Sequence, residues 1–303
     1  MTLIGHLSHD LLRLPSGDYE SLGGAVAYAS LTLTELGSRA TIISKVGYDF
    51  DKKYEKILTS KGVDTSQVFV VRRKRTTRFI NDYRTGERRQ YVEAVCSRIR
   101  MNDLKGDRWI SSDAVYFGPI IGEISEEIIR RSSCRGTFSV IDPQGYCRLI
   151  SSNGRVVNIP WKAWKRIARL VNVVKASIEE ARVMTGLHDE IRIAKEILKR
   201  GTEIVIITLG RRGSILAFRD SILRVPTISP PKEVDSTGAG DIYLATFLQN
   251  LLENRDPIVS GCLASIAASL SVQTIGLEKV PSRESILKAF STYKMTNKVE
   301  VLV

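Results

Sequence analysis

The sequence predicts an α/β protein whose doubly wound, mostly parallel sheet is flanked by helices. Short apolar runs alternate along the 303 residues with amphipathic, helix-like stretches. The runs are continuously apolar, which is typical of strands buried on both faces of a parallel sheet. No repeat or linker interrupts the pattern, so one domain is predicted over 1–303. The runs lie at 2–4, 40–46, 114–117, 138–141, 171–174 and 203–208, and the helix-like stretches at 25–36, 123–131, 178–184, 190–200 and 242–252.

One region departs from this rhythm and predicts a small β-sheet lid. Between 69 and 95 polar and apolar residues alternate around a glycine turn at Gly86, and no helix follows to cover them. A shorter excursion over 11–22 has its own turn at 15–18. We expect these two segments to form a sheet over one edge of the main layer, where it would serve as a lid, a dimer surface or both.

Composition indicates a soluble, globular protein. Hydrophobic residues make up 43% of the chain and charged residues 26%, and no apolar run is long enough to span a membrane. The N-terminal residues lack the basic leader of a signal peptide, so we expect a cytoplasmic protein. The four cysteines lie far apart and are interpreted as buried or incidental thiols.

The net charge of +12 favours anionic ligands such as nucleotides, but it would equally suit non-specific nucleic-acid binding. The densest basic run, at 72–75, is interpreted as a solvated strand edge, with phosphate or partner contact as the alternative.

The strongest chemical signal is the stretch D-S-T-G-A-G-D at 235–241, which opens a helix-like segment. A turn of small residues at a helix start presents unpaired N–H groups, and these bind anions. We therefore predict that Gly238, Ala239 and Gly240 form an anion hole for a transferred phosphoryl group. Asp241 beside it is predicted to accept the proton of an attacking hydroxyl. An ordinary capped helix start is the alternative interpretation.

A second glycine loop, T-L-G-R-R-G-S at 208–214, directly follows a predicted strand. Doubly wound sheets bind ligands at the carboxyl ends of their strands, so Thr208, Gly210, Arg211 and Gly213 are predicted to contact a nucleotide. A plain turn is the alternative for this loop. The P-loop and protein-kinase motifs do not occur, which excludes those two nucleotide-binding schemes.

Together with G-G-A at 23–25, these stretches resemble the ribokinase-like (PfkB) family of carbohydrate kinases over essentially the whole chain. The resemblance implies a central sheet flanked by helices, a β-sheet lid, ATP and Mg²⁺ as cofactors, and transfer to a substrate hydroxyl. It assigns the base to Asp241 and the anion hole to 238–240. A monovalent cation and a homodimer formed through the lid are further expectations at the family level.

The resemblance also predicts the side of the site that holds the acceptor. Asp10 and Asp49 match residues that accept substrate hydroxyls, although a turn cap and a helix N-cap are their alternatives. Tyr28 stands where many members have asparagine. Arg148 is predicted to neutralise the transferred group, with a surface arginine as the alternative. The predicted acceptor contacts are Asp10, Gly23, Gly24, Tyr28, Lys45, Asp49 and Arg148.

The remaining predicted contacts concern the nucleotide and the metal. The family's N-x-x-E motif corresponds to S-I-E-E at 177–180, where Ser177 replaces the amide. Glu180 keeps the carboxylate and is predicted to bind metal together with Asp235, with a first-turn helix glutamate as its alternative. The segment S-V-Q-T-I-G at 271–276, which ends in Gly276, resembles the adenine side of the family, with a helix end and its glycine stop as the alternative. Ser177 and Gly276 are therefore predicted nucleotide contacts.

Four segments, at 5–10, 21–25, 44–50 and 175–181, look most similar to the myo-inositol kinase branch. The resemblance thus makes a sugar or cyclic polyol the expected acceptor, with myo-inositol as the best expectation and a nucleoside kinase as the alternative. A regulator that binds sugar or nucleic acid on the same fold is the alternative outside enzymes. We expect neither a specific nucleic-acid partner nor a membrane.

Overall fold

The computed structural model describes residues 1–86, 89–229 and 232–303, and it confirms the predicted α/β class. The strands are β1 (Thr2–Ile4), β2 (Ser8–Leu14), β3 (Gly17–Gly23), β4 (Ala40–Gly47), β5 (Val63–Val71), β6 (Thr77–Asp82), β7 (Arg89–Ala94), β8 (Val115–Phe117), β9 (Ser139–Ile141), β10 (Arg148–Ile150), β11 (Val156–Asn158), β12 (Val173–Ser177), β13 (Ile204–Thr208), β14 (Ser214–Phe218), β15 (Ser221–Val225) and β16 (Glu300–Val301). The helices are α1 (Ala25–Glu35), α2 (Lys52–Ser60), α3 (Glu126–Cys134), α4 (Trp164–Ala168), α5 (Ile178–Thr185), α6 (Glu190–Leu198), α7 (Ala239–Asn254), α8 (Pro257–Ser271) and α9 (Arg283–Tyr293).

The main sheet is mostly parallel, and its central strands are buried on both faces. Its strand order is β16-β15-β14-β13-β12-β9-β8-β1-β4-β5, and the pairs from β13 to β5 are parallel. In β13, Ile204 and Ile206 belong to one hydrophobic core, and Val205 and Ile207 belong to the other. Each face therefore needs apolar side chains, which is why this strand is a continuous apolar run.

The lid is a separate sheet with the strand order β3-β2-β6-β7, but its boundaries differ from the predicted ones. The second segment enters the lid at β6, because residues 69–71 belong to β5 and pair with β4 in the main sheet. As an edge strand with one solvated face, β5 alternates like a lid strand, which explains the error. The basic run 72–75 lies in the turn between β5 and β6 rather than in a strand. Residues 87 and 88 of the predicted hairpin fall outside the described residues.

His6 joins the lid to the main sheet just after β1. Its side chain is fully buried, with Nδ1 2.9 Å from the Thr77 hydroxyl of the lid and Nε2 3.0 Å from the Ser97 carbonyl oxygen. Burial lowers the pKa of His6, so the ring is neutral at neutral pH and one nitrogen accepts while the other donates. The base of the lid is therefore fixed by a buried hydrogen-bond network.

Helix α8 was not among the predicted helices, and its surroundings explain why. It contacts α7, α9 and the antiparallel end of the sheet, and apolar and serine side chains alike are buried along it. A helix covered on most sides shows no amphipathic stripe, so its sequence lacks the periodicity that reveals a half-exposed helix.

The helices and the cysteines bear on the expectations drawn from composition. Across the described ranges, no helix combines the length and the apolar character needed to cross a membrane. The four cysteines are free thiols; Cys134 is exposed, whereas Cys96, Cys147 and Cys262 are buried. Three of the four thiols are thus buried, as the interpretation of buried or incidental thiols expects.

Candidate active site

The start of α7 has two backbone donors without a protein partner. Gly238 is the N-cap residue, with a φ of 78°. The N–H groups of Gly238 and Gly240 make no hydrogen bond to the rest of the described chain, whereas Ala239 N–H donates to Ser236 O at 3.2 Å. Two of the three predicted donors are therefore open at the positive end of a helix dipole, where an anion binds favourably.

Asp241 lies in the first turn of the same helix, with only 7% of its surface exposed. Its Oδ1 accepts hydrogen bonds from Tyr116 Oη at 3.3 Å and from Gln144 Nε2 at 3.4 Å. Burial and the negative charge of nearby Asp142 raise the pKa of Asp241 to about 7. A carboxylate with this pKa is close to half ionised at neutral pH and is suited to accept a proton.

A buried lysine lies beside the open amides. Lys175, in β12, forms an ion pair with Asp142 just after β9, with 2.5 Å between Nζ and Oδ2. A β-carbon at position 240 would lie 2.5 Å from the same Nζ, so a side chain there would have to displace this ammonium. Burial disfavours its charge, but the carboxylates of Asp142, Glu180 and Asp241 outweigh this effect and raise the pKa of Lys175. Lys175 is thus a fixed cation at the anion site.

Sequence reasoning did not single out Lys175 or Asp142 as site residues. The available signal was a lysine inside an apolar run, because lysine is almost never buried without a partner. That signal indicates burial with a carboxylate but does not say which one, since Asp142 is 33 residues away in sequence.

Arg148 reaches Asp241 indirectly. It donates to Gln144 Oε1 at 2.7 Å and to the Ile120 carbonyl at 3.0 Å, and Gln144 in turn donates to Asp241. The arginine therefore orients the amide that holds the carboxylate. Its predicted contact with a transferred phosphoryl group stays a prediction.

A cavity of about 390 Å³ opens beside the open amides of α7. Its inner wall includes the apolar residues Leu209, Ile228, Ala268 and Val272. At this cavity Arg211 forms an ion pair with Glu233 at 2.5 Å. The predicted nucleotide and anion-hole residues that line it are Ser177, Thr208, Gly210, Arg211, Gly213, Ala239 and Gly240.

Gly276 is not part of this cavity wall, contrary to its predicted role. A β-carbon there would meet Ser21 Oγ of the lid at 3.2 Å, so the residue lies against β3. Local resemblance placed it with the nucleotide, but the turn after α8 directs it towards the lid.

Asp10 lies on the lid side of the loop at 235–241. Its Oδ1 accepts from Ser8 Oγ at 2.7 Å, and its Oδ2 accepts from Asn81 of β6 at 3.4 Å. A β-carbon on Gly23 would lie 2.3 Å from the Asp10 carboxyl, so glycine at 23 makes room for that group. Asn81 is itself held by Gln90 of β7 at 2.9 Å. The lid thus supplies an ordered group of polar side chains around one carboxylate.

Tyr28 lies between the two ends of the site. Its helix, α1, begins after the predicted pocket residue Gly24, and its ring packs against Gly238. Burial and the nearby carboxylates of Asp10, Asp235 and Asp241 raise the pKa of Tyr28 well above its ordinary value. Its buried hydroxyl lies near Ser21 but makes no hydrogen bond of standard geometry within the described residues. Such an orphan group is a ready partner for a polar ligand.

The lid also contacts the glycine loop directly. The hydroxyl of Tyr83 lies 2.9 Å from that of Thr237, although 154 residues separate them in sequence. This hydrogen bond therefore ties the lid to the loop at 235–241.

Lys45 and Asp49 have protein partners that the sequence did not predict. Lys45 forms an ion pair with Asp103 at 2.6 Å and does not line the cavity of about 240 Å³ that Asp10 and Asp49 share. Asp49 accepts from the Thr76 amide at 2.7 Å, so it caps the turn that leads into β6. The structure thus separates Lys45 from the acceptor end and gives Asp49 a structural task.

The two predicted metal ligands are also engaged. Glu180 accepts from the Ser177 amide at 2.9 Å, and Ser177 Oγ accepts from the Glu180 amide at 3.2 Å, which is a reciprocal cap at the start of α5. Asp235 forms an ion pair with Lys279 at 2.8 Å in which neither side chain is exposed, so its carboxylate is not available to a metal ion. Among the residues that the structure describes, no cluster of three or more metal-binding side chains occurs.

The chain is similar to known carbohydrate and nucleoside kinases. The sequence profile of pfkB family carbohydrate kinases matches residues 148–283. A candidate sugar kinase of Pyrococcus horikoshii is 26% identical, with 94% of each chain covered. The nucleoside kinase of Methanothermobacter thermautotrophicus is 26% identical over 89% of this chain and 84% of its own. The inositol 3-kinase of Arabidopsis thaliana is 26% identical over 91% of this chain and 75% of its own.

Solved structures share the fold. The ribokinase of Arabidopsis thaliana, complexed with ribose and ATP, superimposes with a TM-score of 0.75 at 19% identity, covering 95% of this chain and 97% of its own. A pyrophosphate-dependent kinase of the ribokinase family, complexed with a pyrophosphate analogue and myo-inositol, gives a TM-score of 0.79 at 24% identity, covering 95% and 99%. At these identities the likeness establishes the fold.

Replacing Asp142 with asparagine should lower the pKa of Asp241 below about 7. The substitution removes a negative charge and leaves Lys175 free to pair with Asp241, and both effects favour the ionised form. Carbon-13 NMR titration of the aspartate carboxyl groups measures the shift. Asp220→Asn, at an exposed turn between β14 and β15, is the matched control and should leave Asp241 unchanged. An unshifted Asp241 in the Asp142 variant would contradict the assigned cause.

Proposed function

We propose that this chain, which matches the pfkB family of carbohydrate kinases over residues 148–283, transfers the γ-phosphoryl group of ATP to a hydroxyl of a sugar or cyclic polyol, with myo-inositol as the expected acceptor. One observation carries the proposal: the buried carboxylate of Asp241 lies next to the open amides of Gly238 and Gly240. A carboxylate beside an anion site is unfavourable unless it accepts a proton during the reaction.

The chain's own residues divide the reaction between them. Tyr116 and Gln144 hold Oδ1 of Asp241, which leaves Oδ2 to accept the proton of the attacking hydroxyl. The amides of Gly238 and Gly240 stabilise the charge on the transferred group, and the ammonium of Lys175 reinforces them. Catalysis is thus mostly positioning and electrostatics.

The residues present fit the expected cofactors. The apolar wall of the 390 Å³ cavity suits a nucleobase, and the open amides with Lys175 suit the phosphates of ATP. A magnesium ion would neutralise part of the charge of those phosphates, and Glu180, whose Oε2 caps α5 beside Lys175, is the residue that would help to hold it.

The acceptor is proposed to bind between Asp10 and Asp241. A polyol presents several hydroxyl groups, and the carboxylate of Asp10, the amide of Asn81 and the orphan hydroxyl of Tyr28 offer several fixed partners. A nucleoside remains the second candidate acceptor, because a nucleoside kinase is as similar to this chain as an inositol kinase is.

A panel of acceptors and donors tests the proposal. Purified protein is assayed with Mg²⁺ and either ATP or pyrophosphate, against myo-inositol, ribose, fructose, adenosine and cytidine. We expect turnover with ATP and the highest kcat/KM with myo-inositol, because the cavity has an apolar wall for a base and the acceptor end offers several fixed polar partners. Turnover with pyrophosphate alone would overturn the donor assignment. No turnover with any pair would overturn the kinase proposal.

Asp241→Asn should reduce kcat at least about a hundredfold, because the variant cannot accept the proton. ATP affinity, measured by calorimetry, should stay near wild type, since the amides that bind phosphate remain. Asp220→Asn serves as the control; unchanged turnover in Asp241→Asn would refute the assignment of the base.

The pH profile of the wild-type enzyme tests the same assignment. Its kcat/KM should rise with pH through about 7, because Asp241 is protonated and inactive below its pKa and ionised above it.

Asp10→Ala should raise the KM for the acceptor about tenfold to a hundredfold, which corresponds to the loss of one charge-assisted hydrogen bond. The KM for ATP should change little, because Asp10 lies on the lid side of the loop. Initial rates at varied concentrations of each substrate measure the two effects. Asp18→Ala, which removes an exposed carboxylate from the same lid sheet, is the control. A change confined to the KM for ATP would place Asp10 on the wrong side of the site.

A further inference from the structure

A second buried cation lies beneath the loop at 235–241, apart from Lys175. Lys279 ends the short 3₁₀ turn Gly276–Lys279, and its side chain is fully buried. Its Nζ donates to Asp235 Oδ2 at 2.8 Å, to the Asp235 carbonyl at 2.9 Å and to the Thr237 carbonyl at 2.5 Å. These three oxygens belong to one short loop and match the three N–H donors of an ammonium.

The positive charge of Lys279 takes no part in the catalytic steps proposed above. Its counter-charge, Asp235, is also fully buried, and the ring of Tyr28 lies 5.8 Å away, within reach of a cation–π contact. Removing two charges from water is costly unless geometry and additional hydrogen bonds compensate. Here two main-chain carbonyls and a carboxylate supply that compensation, which is also the oxygen environment that a desolvated monovalent cation would need.

This cation bears directly on the anion site. In a trans peptide the C=O and N–H groups point in opposite directions, so a bond from Lys279 to the Thr237 carbonyl turns the Gly238 N–H away from Lys279. Asp235 Oδ1 also accepts from the Thr237 amide at 2.8 Å, which fixes the preceding peptide unit, between Ser236 and Thr237. The direction of one of the two open donors is therefore set by the Asp235–Lys279 pair.

We propose that Lys279 is a positioning residue that acts as a built-in monovalent cation for the anion hole, so that the enzyme requires no free K⁺ or NH₄⁺. The proposal rests on the kinase function proposed above. The monovalent cation expected from the family resemblance does not fit this loop, because the carboxylate and two carbonyl oxygens that would bind it already accept from the ammonium.

The wild-type test compares salts at equal ionic strength. Turnover in K⁺, NH₄⁺ and tetramethylammonium chloride should agree within about twofold, because the site already holds its cation. Activation of the wild type by K⁺ or NH₄⁺ beyond that range would overturn the proposal.

The variant test opens the site. Lys279→Ala removes the ammonium, and kcat should fall at least about tenfold with little change in the KM for the acceptor. K⁺ or NH₄⁺ should restore most of the loss, whereas tetramethylammonium, which is too large for the oxygen cage, should not. Lys288→Ala, at an exposed position on α9, is the control and should respond to none of these salts. Loss without rescue by any small cation would indicate a merely structural lysine and overturn the proposal.

A binding measurement separates this proposal from the kinase function. ADP affinity of Lys279→Ala, measured by calorimetry, should fall and recover when K⁺ replaces tetramethylammonium. If the wild type turned over no acceptor but this recovery occurred, the kinase function would fail while the role of Lys279 stood. Should the variant be too unstable for calorimetry, K⁺ should raise its melting temperature relative to tetramethylammonium. Equal melting temperatures in the two salts would overturn the proposal.

Discussion

The rest of the site depends on two buried ion pairs near the start of α7. Lys175 pairs with Asp142 on one side of the glycine loop, and Lys279 pairs with Asp235 on the other. Breaking such a pair leaves an uncompensated buried charge and costs about 3–5 kcal/mol. The loop between them is thus held by interactions that tolerate little displacement, which suits a site that must present open amides in a fixed direction.

The sheet topology places one of these pairs beside Asp241, the proposed base. Strands β9 and β12 are parallel neighbours, with Ile141 opposite Val174, so the residues that follow meet at the same edge. Parallel strands therefore bring Asp142 to Lys175 across 33 residues of sequence. Burial and the like charge of Asp142 raise the pKa of Asp241, while Lys175 limits the rise, so one pair both anchors the loop and adjusts the pKa of the proposed base.

Short sequence patterns predicted those parts of the site that depend on interactions between residues close together in the chain. The glycine turn and Asp241 were identified because a helix start of small residues binds anions wherever it occurs. The predicted roles of Lys45, Asp235 and Gly276 depended instead on partners distant in sequence, and in the structure Asp103, Lys279 and Ser21 occupy those contacts. A family resemblance predicts where in the chain a functional residue lies. It does not predict which distant residues contact that side chain in the folded protein.

The sequence by itself determined the alternation of strands and helices in the parallel part of the main sheet, the presence of a second small sheet and the glycine turn before α7, because hydrophobic periodicity and backbone chemistry act over a few residues. Only the tertiary structure decided which charges are buried together, which amides stay open and where the lid begins. Those outcomes depend on sheet order and on contacts between distant segments, such as Tyr83 with Thr237. The anion hole predicted from three adjacent residues thus became two open donors, because folding turned the third amide back onto Ser236.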